Sequence, residues 1–484
     1  MKALSVLILL YSTPLLHNAQ TLNTFSLTNT NGVYSVLSNP ANATASKDWL
    51  SINAFGAGLG MENNILHTRF DYSLLQIALL KNYNEKEPAF KPPFFAVKSK
   101  APHKPSFYVN AQVLLPSIKI NITKRISVFA YWQERVIGNI IDIGSNVLPL
   151  VINKEIPTNY SNSSFNTDVR ALAYREVAAG FGAVVYNKRE HLFKIGGTFK
   201  KITVRFAYIV NTQYFTSNQA FNKVSISSRY RVVATNLAQL TATLTGYALG
   251  NNPPGEGFAI NMGVSYEHRP NHLKHRYRIT NPKGKNKNFR QRGLILYDYK
   301  IGVSLLDWGQ IDLNNTSVTD KVYEANGSID LKKLPPPEDY MKELTKNSEV
   351  VYENKETRLY MPAKLLLTAD YRINYNWFLN IAYSQNLRDS KKAENFYTPS
   401  SFSALLRKET EKITFGVPLR IIPLTRTATV GCFTSLGPFF IGTDNVLILV
   451  KRKMYNWSIY TGLCFTINYK KDPSIETFKN FGRY

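Results

Sequence analysis

The sequence predicts an all-β protein, a transmembrane antiparallel β-barrel of about 14 strands. Three observations support this fold class. Runs of about ten residues alternate between apolar and polar side chains, turns fall into a short and a long class, and no apolar stretch of ~20 residues follows the N-terminal region. The mean hydropathy of -0.21 fits strands with one apolar and one polar face. A chain of 484 residues is long enough for one large barrel.

The clearest strands are four segments in which apolar side chains alternate with polar or small ones. They are residues 107–115, 258–267, 295–305 and 457–469. A membrane barrel needs strands of roughly 9–11 residues, whereas the strands of soluble sandwiches are more often about 5–6 residues long. The length of these segments therefore favours a barrel that crosses a membrane.

The alternation in residues 295–305 also assigns the two faces of one strand. Lys300 and Ser304 are expected to point into the lumen. The opposite register would bring the charge of Lys300 into hydrocarbon, at a cost of about 2–4 kcal/mol near the midplane. The outward set, which is expected to face lipid, is Tyr299, Ile301, Val303 and Leu305.

The connections between strands fall into two length classes. Tight turns are predicted at residues 124–125, 187–191 and 374–376, and long polar loops at roughly 80–104, 136–168, 268–292 and 312–358. Outer-membrane barrels have short periplasmic turns and long extracellular loops. The long segments are therefore expected on the outside of the cell.

A signal peptide is predicted over residues 1–19. Met1-Lys2 is a short basic start, an apolar core follows up to Leu16, and Ala19 offers a cleavage site. The formal net charge of +26 suits polyanionic partners such as lipid head groups or lipopolysaccharide phosphates. Nucleic acid would also suit that charge, but export from the cytoplasm argues against it, so no nucleic acid is expected.

The start of the mature chain carries a distinctive pattern, GVYSVLSNPA at residues 32–41. Further short motifs are GFAINMG at 257–263, YKIGVSLLD at 299–307 and SLGPFFIGT at 435–443. Together these motifs resemble the outer-membrane long-chain fatty-acid transporter superfamily. They are most similar to the related barrels of gliding, type IX-secreting Gram-negative bacteria.

The resemblance implies a location in the outer membrane of a Gram-negative bacterium and a plug inside the barrel. Asn39, Pro40 and Ala41 would lie in that plug or at its junction with the wall, and a turn before the first strand is the alternative. Proline fixes its own backbone and biases the preceding residue away from helix, which suits an irregular buried segment. The expected division is signal peptide 1–19, plug segment 20–48, barrel 49–469 and C-terminal tail 470–484.

No pattern of catalytic chemistry stands out. The sequence lacks a glycine-rich phosphate loop, a zinc-ligand spacing and a nucleophile elbow. Histidines at 268, 272 and 275 stand among arginines and lysines, whose positive charge would repel a metal cation. No enzyme activity, cofactor or metal is therefore expected.

A basic stretch over residues 268–292 is the most local signal. It holds nine Lys and Arg residues and neither Asp nor Glu. Outside the cell, its cations could bind lipopolysaccharide phosphates through charge-assisted hydrogen bonds, and a merely solvated loop is the alternative. The residues predicted to make this contact are Lys283, Lys285, Lys287, Arg290 and Arg292.

Three functions are consistent with the sequence. The first, which the resemblance implies, is a non-enzymatic barrel that passes or binds an apolar small molecule. The second is a membrane platform for secretion or gliding machinery, with other envelope proteins as partners. The third is a soluble secreted all-β binding protein, which a requirement for detergent would exclude. An apolar lumen with an opening in the wall would favour transport, whereas a sealed lumen with large ordered loops would favour a platform.

Overall fold

The wall of the molecule is one closed antiparallel barrel. In the computed structural model, the described residues form fourteen wall strands. The last strand pairs with the first, with Met61 opposite Trp457, and this pairing closes the barrel. The predicted fold class and strand number are confirmed. The strands are β1 (Asp48–Asn63), β2 (Ser106–Leu114 and Ser117–Asn121), β3 (Ile126–Ile141), β4 (Asp168–Lys188), β5 (His191–Ala220), β6 (Lys223–Thr235 and Gly255–His268), β7 (Tyr299–Leu313 and Val318–Asp330), β8 (Ser348–Glu353, Thr357–Tyr360 and Lys364–Arg372), β9 (Trp377–Asn386), β10 (Ser401–Glu409), β11 (Ile413–Ile422), β12 (Thr427–Val430 and Cys432–Leu436), β13 (Phe439–Thr443) and β14 (Trp457–Asn468).

The described part of the chain begins at residue 23 and ends at residue 468. The predicted signal peptide and the predicted tail 470–484 lie outside these bounds, and the side chains predicted to contact lipopolysaccharide are not among those described. Within those bounds, the structure describes all residues except 30–31, 45–47, 65, 69–94, 98–105, 124, 142–162, 165–166, 189, 221–222, 236–252, 271–275, 281–285, 291–296, 315–317, 331–347, 355, 375, 411–412, 424–426 and 450–454.

One side of the barrel is taller than the other. β5 has 30 residues, and its first half pairs with the second segment of β6 while its second half pairs with the first segment. Three neighbouring segments pair with one another and continue this extension: Lys223–Thr235 of β6, Val318–Asp330 of β7 and Ser348–Glu353 of β8. The loop predicted at 312–358 therefore contains strand residues at both of its ends, because the wall is extended there. On the opposite side, β13 has only five residues.

The two ends of the barrel differ in their connections. The short-turn end carries the connections at 122–125, 189–190, 373–376, 410–412 and 437–438. The long-loop end carries those at 64–105, 142–167, 331–347, 387–400 and 444–456, and also the short connections at 221–222 and 423–426. The tight turns predicted at 124–125, 187–191 and 374–376 all lie at the short-turn end, as expected.

The basic connection between β6 and β7, residues 269–298, lies at the short-turn end. Arg269 N donates to Glu190 O at 2.7 Å, and Arg372 N donates to Asp298 O at 2.8 Å. Both partners belong to strand ends or turns at that rim. The expectation that this segment lies at the same end as the other long loops is therefore wrong, because strand direction decides the end at which a connection lies, whatever its length. Within it, Arg276–Thr280 pairs with Asn286–Arg290 as a short hairpin.

The face assignment in β7 is confirmed. Tyr299, Ile301 and Val303 are exposed on the outside, whereas Ser304 is buried. Lys300 Nζ points inward and donates to Asn29 Oδ1 at 3.3 Å. The same alternation places apolar side chains on the outer surface of other wall strands, represented by Phe181, Phe199, Phe258, Ile381, Leu406 and Phe465.

An N-terminal segment, residues 23–44, lies inside the barrel. We call it the lumen segment. It consists of α1 (Asn23–Ser26), α2 (Tyr34–Ser38) and a 3-10 turn (Pro40–Ala43). Most of its side chains are buried, and the 3-10 turn packs against β3, β4, β5 and β6. No helix in the described part of the chain is both long enough and apolar enough to span a membrane.

Candidate functional site

Asn39 joins the lumen segment to the wall. Its side-chain Oδ1 accepts a hydrogen bond from Ala41 N at 2.9 Å, which caps the 3-10 turn. Its Nδ2 donates to the backbone oxygen of Val264 in β6 at 3.0 Å. Asn39 and Ala41 are buried, and Pro40 begins the turn between them. The structure thus brings the three motif residues together in the lumen, against a strand more than 200 residues away.

Glycines in the wall make room for this turn. A methyl group at Gly196 of β5 would overlap the backbone of Pro40, and one at Gly263 of β6 would overlap the side chain of Asn39. At Gly182 of β4 it would lie 3.0 Å from Ala43 Cβ. Because glycine has no Cβ, the backbone of the lumen segment can approach the wall directly.

Aromatic packing fixes the opposite side of the lumen segment. Phe25 stacks on Phe440 of β13 with ring centroids 4.1 Å apart, and Tyr34 contacts the same ring edge-on at 5.0 Å. The Tyr34 hydroxyl also donates to Asn53 of β1. Such pairs add about 0.5–1.5 kcal/mol each beyond burial. The lumen segment is therefore attached to both sides of the barrel.

A buried charge network crosses the lumen beside this segment. Arg135 Nη1 lies 3.1 Å from Glu176 Oε1 and 3.0 Å from Asp307 Oδ2. Lys200 Nζ lies 3.3 Å from Glu176 Oε2 and also contacts Asp307. Each carboxylate thus meets both cations, which compensates for the loss of water around the charges. A cavity of about 40 Å³ next to the network is lined by Ser26, Leu37 and Lys364, among others.

An irregularity in β7 places Asp307 in this network. Its φ is 56°, a left-handed conformation that is uncommon for residues other than glycine. The side chain of Asn261 in β6 accepts a hydrogen bond from Asp307 N at 2.7 Å, and the β6–β7 register shifts at this point. As a result Leu306 and Asp307 are both buried, although they are adjacent in the strand.

An apolar cluster occupies the lumen toward the long-loop end. The cluster includes two residues from a connection, Ala393 and Phe396: the segment between β9 and β10, residues 387–400, folds inward and buries Phe396 completely. Phe396 N donates to Tyr360 O at 3.0 Å, Arg170 Nη2 to Ser390 O at 2.7 Å and Asn139 Nδ2 to Tyr397 O at 3.1 Å. We call this region the apolar chamber; its other members include Ile137, Leu172, Ile202, Val204, Ile209, Ile311, Leu359 and Met361.

The wall beside the apolar chamber has a break in its strand pairing. β7 and β8 pair up to Leu306 opposite Lys364 and resume at Gln310 opposite Tyr360. Proline at 362 lies in the gap of β8 and has no backbone N–H to offer. One backbone bond bridges the gap, from Met361 N to Gly309 O at 3.1 Å.

Arg388 covers this wall break. Its Nε donates to Met361 O and its Nη2 to Gly309 O, both at 3.1 Å. The guanidinium lies 5.4 Å from the ring centre of Trp308 and 5.0 Å from that of Tyr360, within the range of cation–π attraction. Trp308 is 49% exposed, so the break reaches the outer surface of the wall.

The sequence alone did not reveal the charge network, the apolar chamber or the wall break. Arg135, Glu176 and Lys200 stand at positions that the alternation of side chains in β3, β4 and β5 assigns to the lumen. This alternation is the sequence signal that could have identified them. Phe396 and Arg388 lie in a connection, where side-chain direction follows no regular period. The histidine-bearing basic stretch and the plug motif, which the sequence did single out, lie on separate elements: the first follows β6 at the short-turn end, the second is inside the lumen.

A search of curated protein sequences finds no relative of the chain. Among solved structures, the chain is similar to a TodX mutant described as a monoaromatic hydrocarbon channel, with 10% identity, a TM-score of 0.41, and 91% of this chain and 95% of that chain covered. It is similar to the Ralstonia pickettii toluene transporter TbuX, with 10% identity, a TM-score of 0.37 and coverage of 91% and 94%.

A third similar structure is a FadL homologue of Pseudomonas aeruginosa, with 7% identity, a TM-score of 0.27, and 93% of this chain and 99% of that chain covered. Residues 40–444 match a family model described as a family of unknown function, DUF5723. The matched range begins at Pro40 of the lumen segment and ends just after β13.

Proposed function

Since the chain belongs to the DUF5723 family, whose function is unknown, we propose an activity from the barrel itself: it is a non-enzymatic outer-membrane protein that passes or binds an apolar small molecule. The apolar outer wall supports the membrane location, because strands in lipid place apolar side chains outward. The soluble alternative would leave this surface in water, and a need for detergent during purification tests it.

The apolar chamber is the single observation that carries this proposal. The interior of a water-filled barrel is polar, whereas this part of the lumen is lined by aliphatic side chains. Phe396 fills the chamber with an aromatic ring carried by a connection rather than by the wall. An aromatic or aliphatic solute of similar size would find the same contacts if that segment moved away.

The wall break gives such a solute a short route between the apolar chamber and the membrane. Met361 belongs to the chamber and also borders the break. Arg388 and Phe396 lie in the same connection, so movement of that connection would vacate the chamber and uncover the break together. The lumen segment, held by Asn39 and the wall glycines, acts as a plug that closes the barrel toward the short-turn end.

Crystals soaked with bromobenzene test the proposal, because anomalous scattering from bromine locates the probe independently of detergent. In Phe396→Ala we expect bromine density inside the chamber, near Ile202 and Ile311. The matched control is Phe402→Ala, which removes an exposed ring from the outer face of β10 and should leave the chamber filled by Phe396. Absence of bromine from the chamber in Phe396→Ala and in the milder Phe396→Leu would contradict the proposal.

A platform for secretion or gliding machinery is the second candidate, because the lumen is filled at two levels by the lumen segment and by residues 387–400. A platform needs no passage through the barrel. Cross-linking in cells distinguishes the two: a platform should retain another envelope protein when Phe396 and Arg388 are replaced, and cells carrying those variants should take up apolar probes no faster than wild type.

A further inference from the structure

A small cavity lies between the lumen segment and the wall, beside the buried charge network. It has a volume of about 40 Å³, whereas one water-sized ligand needs at least ~10–15 Å³. Ser26 and Leu37 line it from the lumen segment, and the strands β2, β3, β5, β6, β7 and β8 supply the rest of its lining. The cavity therefore has room for a ligand of the size of a water molecule or a monatomic ion.

Two polar atoms on residues that line this cavity are buried without a hydrogen-bond partner in the part of the chain that the structure describes. They are Arg135 Nε and Tyr131 Oη. Tyr131 Oη lies close to the ammonium of Lys200, without the geometry of a hydrogen bond, and repulsion turns the phenolic hydrogen away from that cation. Buried donors almost always have an acceptor, because an unsatisfied one is costly. These two groups therefore indicate a ligand that accepts hydrogen bonds.

The amide side chains of the lining add further donors. Gln112 Oε1 accepts from Gln133 Nε2 at 3.1 Å, and Asn261 Oδ1 accepts from Asp307 N at 2.7 Å. Because the oxygen of each amide is engaged in this way, the nitrogens of Gln112 and Asn261 remain as donors. The lining thus has a surplus of donors, which suits an anion better than water, since a water molecule must donate as well as accept.

The charge of the lining is positive. Arg135, Lys200 and Lys364 line the cavity together with one carboxylate, Asp307, whose oxygens contact the first two of these cations. Glu176 is the second carboxylate that those two cations share. Lys364 forms no ion pair with a described carboxylate, and Arg135 and Lys200 are among the charges that repel it most strongly. Its positive charge is therefore left over.

The nearest further carboxylates are engaged elsewhere. Glu62 contacts Arg420, and Asp444 Oδ1 accepts from Thr24 Oγ1 at 2.7 Å. Neither Glu62 nor Asp444 lines the cavity. The ammonium of Lys364 thus lines a closed polar space in which the one carboxylate already has two cationic partners.

We propose that this cavity binds a single small monovalent anion, such as chloride. The Lys364 ammonium supplies the counter-charge, and Arg135 Nε and the Tyr131 hydroxyl donate charge-assisted hydrogen bonds to the ion. The ion also connects the wall to the lumen segment, because Ser26 and Leu37 close the cavity on that side. A ligand that binds only the folded state stabilises it by mass action, so chloride should stabilise the protein. The proposal depends neither on the apolar chamber nor on transport.

Bromide replaces chloride closely and scatters anomalously, so it locates the ion in crystals of the full chain. In wild type we expect one bromide peak in the cavity, between Tyr131, Arg135 and Lys364, and in Lys364→Gln we expect none there. The matched control is Lys300→Gln, which neutralises another lysine that points into the lumen but does not line the cavity. This control should keep the peak. An empty cavity in wild type overturns the proposal.

Thermal unfolding in detergent measures the affinity in solution, with sodium chloride compared with sodium gluconate at equal ionic strength. Gluconate is too large for the cavity, so the stability of wild type should rise with chloride alone and should reach saturation. In Lys364→Gln, and in the milder Tyr131→Phe, the affinity for chloride should fall at least about tenfold, because each variant removes a hydrogen bond to a charged ligand. Lys300→Gln should titrate as wild type does.

Two results in solution would overturn the proposal. One is an unchanged affinity for chloride in both Lys364→Gln and Tyr131→Phe, and should one of these variants fail to fold, the other decides. The second is bromide in the crystal without a saturable effect of chloride, which would mean binding at crystal concentration only. Bromobenzene is located in a separate soak and in the apolar chamber, near Ile202 and Ile311, so this proposal and the proposed function can fail independently.

Discussion

At the scale of single residues, the position of the lumen segment depends on two glycines, which have no side chain, and on an amide that accepts one hydrogen bond and donates another. Gly196 and Gly263 leave room for Pro40 and Asn39, and the Asn39 amide both accepts from its own turn and donates to β6. An amide is one of few side chains that can do both at once. The contact therefore depends on residue identity as well as on packing.

Gly196→Ala should loosen the lumen segment. The added methyl overlaps the backbone of Pro40, which cannot give way as a flexible side chain would, so we expect a loss of about 1–3 kcal/mol in stability. Gly197→Ala is the matched control, because its methyl meets Phe181 at an ordinary 3.4 Å. Thermal unfolding in detergent and proteolysis before residue 44 measure the effect, and equal behaviour of the two variants would falsify this account of the seat.

Asn39→Asp separates the two bonds of the amide. The carboxylate still accepts from Ala41 N, but it has no hydrogen to donate to Val264 O and faces that carbonyl with like partial charge. We expect a cost of about 1–3 kcal/mol and faster hydrogen exchange across residues 34–44. Asn374→Asp, in an exposed turn, serves as the control. Unchanged exchange in Asn39→Asp would show that the donated bond has no part in holding the segment.

At the scale of elements, irregular positions in the wall build the interior. The bulge at Asp307 turns two consecutive residues of β7 inward, and the gap between β7 and β8 opens beside it. Residues 387–400 then bring Arg388 to the gap and Phe396 to the chamber. The charge network, the wall break and the chamber are thus neighbours, because β6, β7 and β8 all depart from regular pairing at the same height in the barrel.

Asp307→Asn tests the weight of this network. Arg135 and Lys200 would share the single carboxylate of Glu176, and removing one partner of a buried ion pair costs about 3–5 kcal/mol. Asp312→Asn is the control, since its pair with Arg358 is exposed to solvent and should matter little. Both are measured by thermal unfolding in detergent. Equal melting temperatures would mean that Glu176 alone balances the two cations.

At the scale of the whole molecule, the pairing of β1 with β14 closes the barrel, and it ends with Asp48 opposite Asn468. Closure removes the free strand edges that would otherwise expose unpaired backbone groups to lipid. The sixteen residues from 469 to 484 follow the last paired position.

A chain truncated after residue 468 should therefore still form the closed barrel. Folded barrels resist detergent and migrate differently before and after boiling, so heat-modifiable electrophoretic mobility is the measurement. We expect the truncated chain to keep this behaviour and a chain truncated before Trp457 to lose it, because the latter lacks β14. Loss of the folded band from the chain truncated after residue 468 would show that the tail takes part in closure.

The sequence by itself determined the wall of this protein. Side-chain direction in a strand has a period of two, which is local, so the faces of β7 follow from alternation. The strand number and the tight turns follow from counting the alternating segments and the short links between them. The end at which the basic connection lies was misjudged because its length was used, whereas strand direction decides it. Only the tertiary structure decided which inward positions meet. Asn39 contacts Val264, and Arg135 contacts Asp307, because closure of the barrel and the bulge in β7 set the stagger of distant strands, and no local pattern records that stagger.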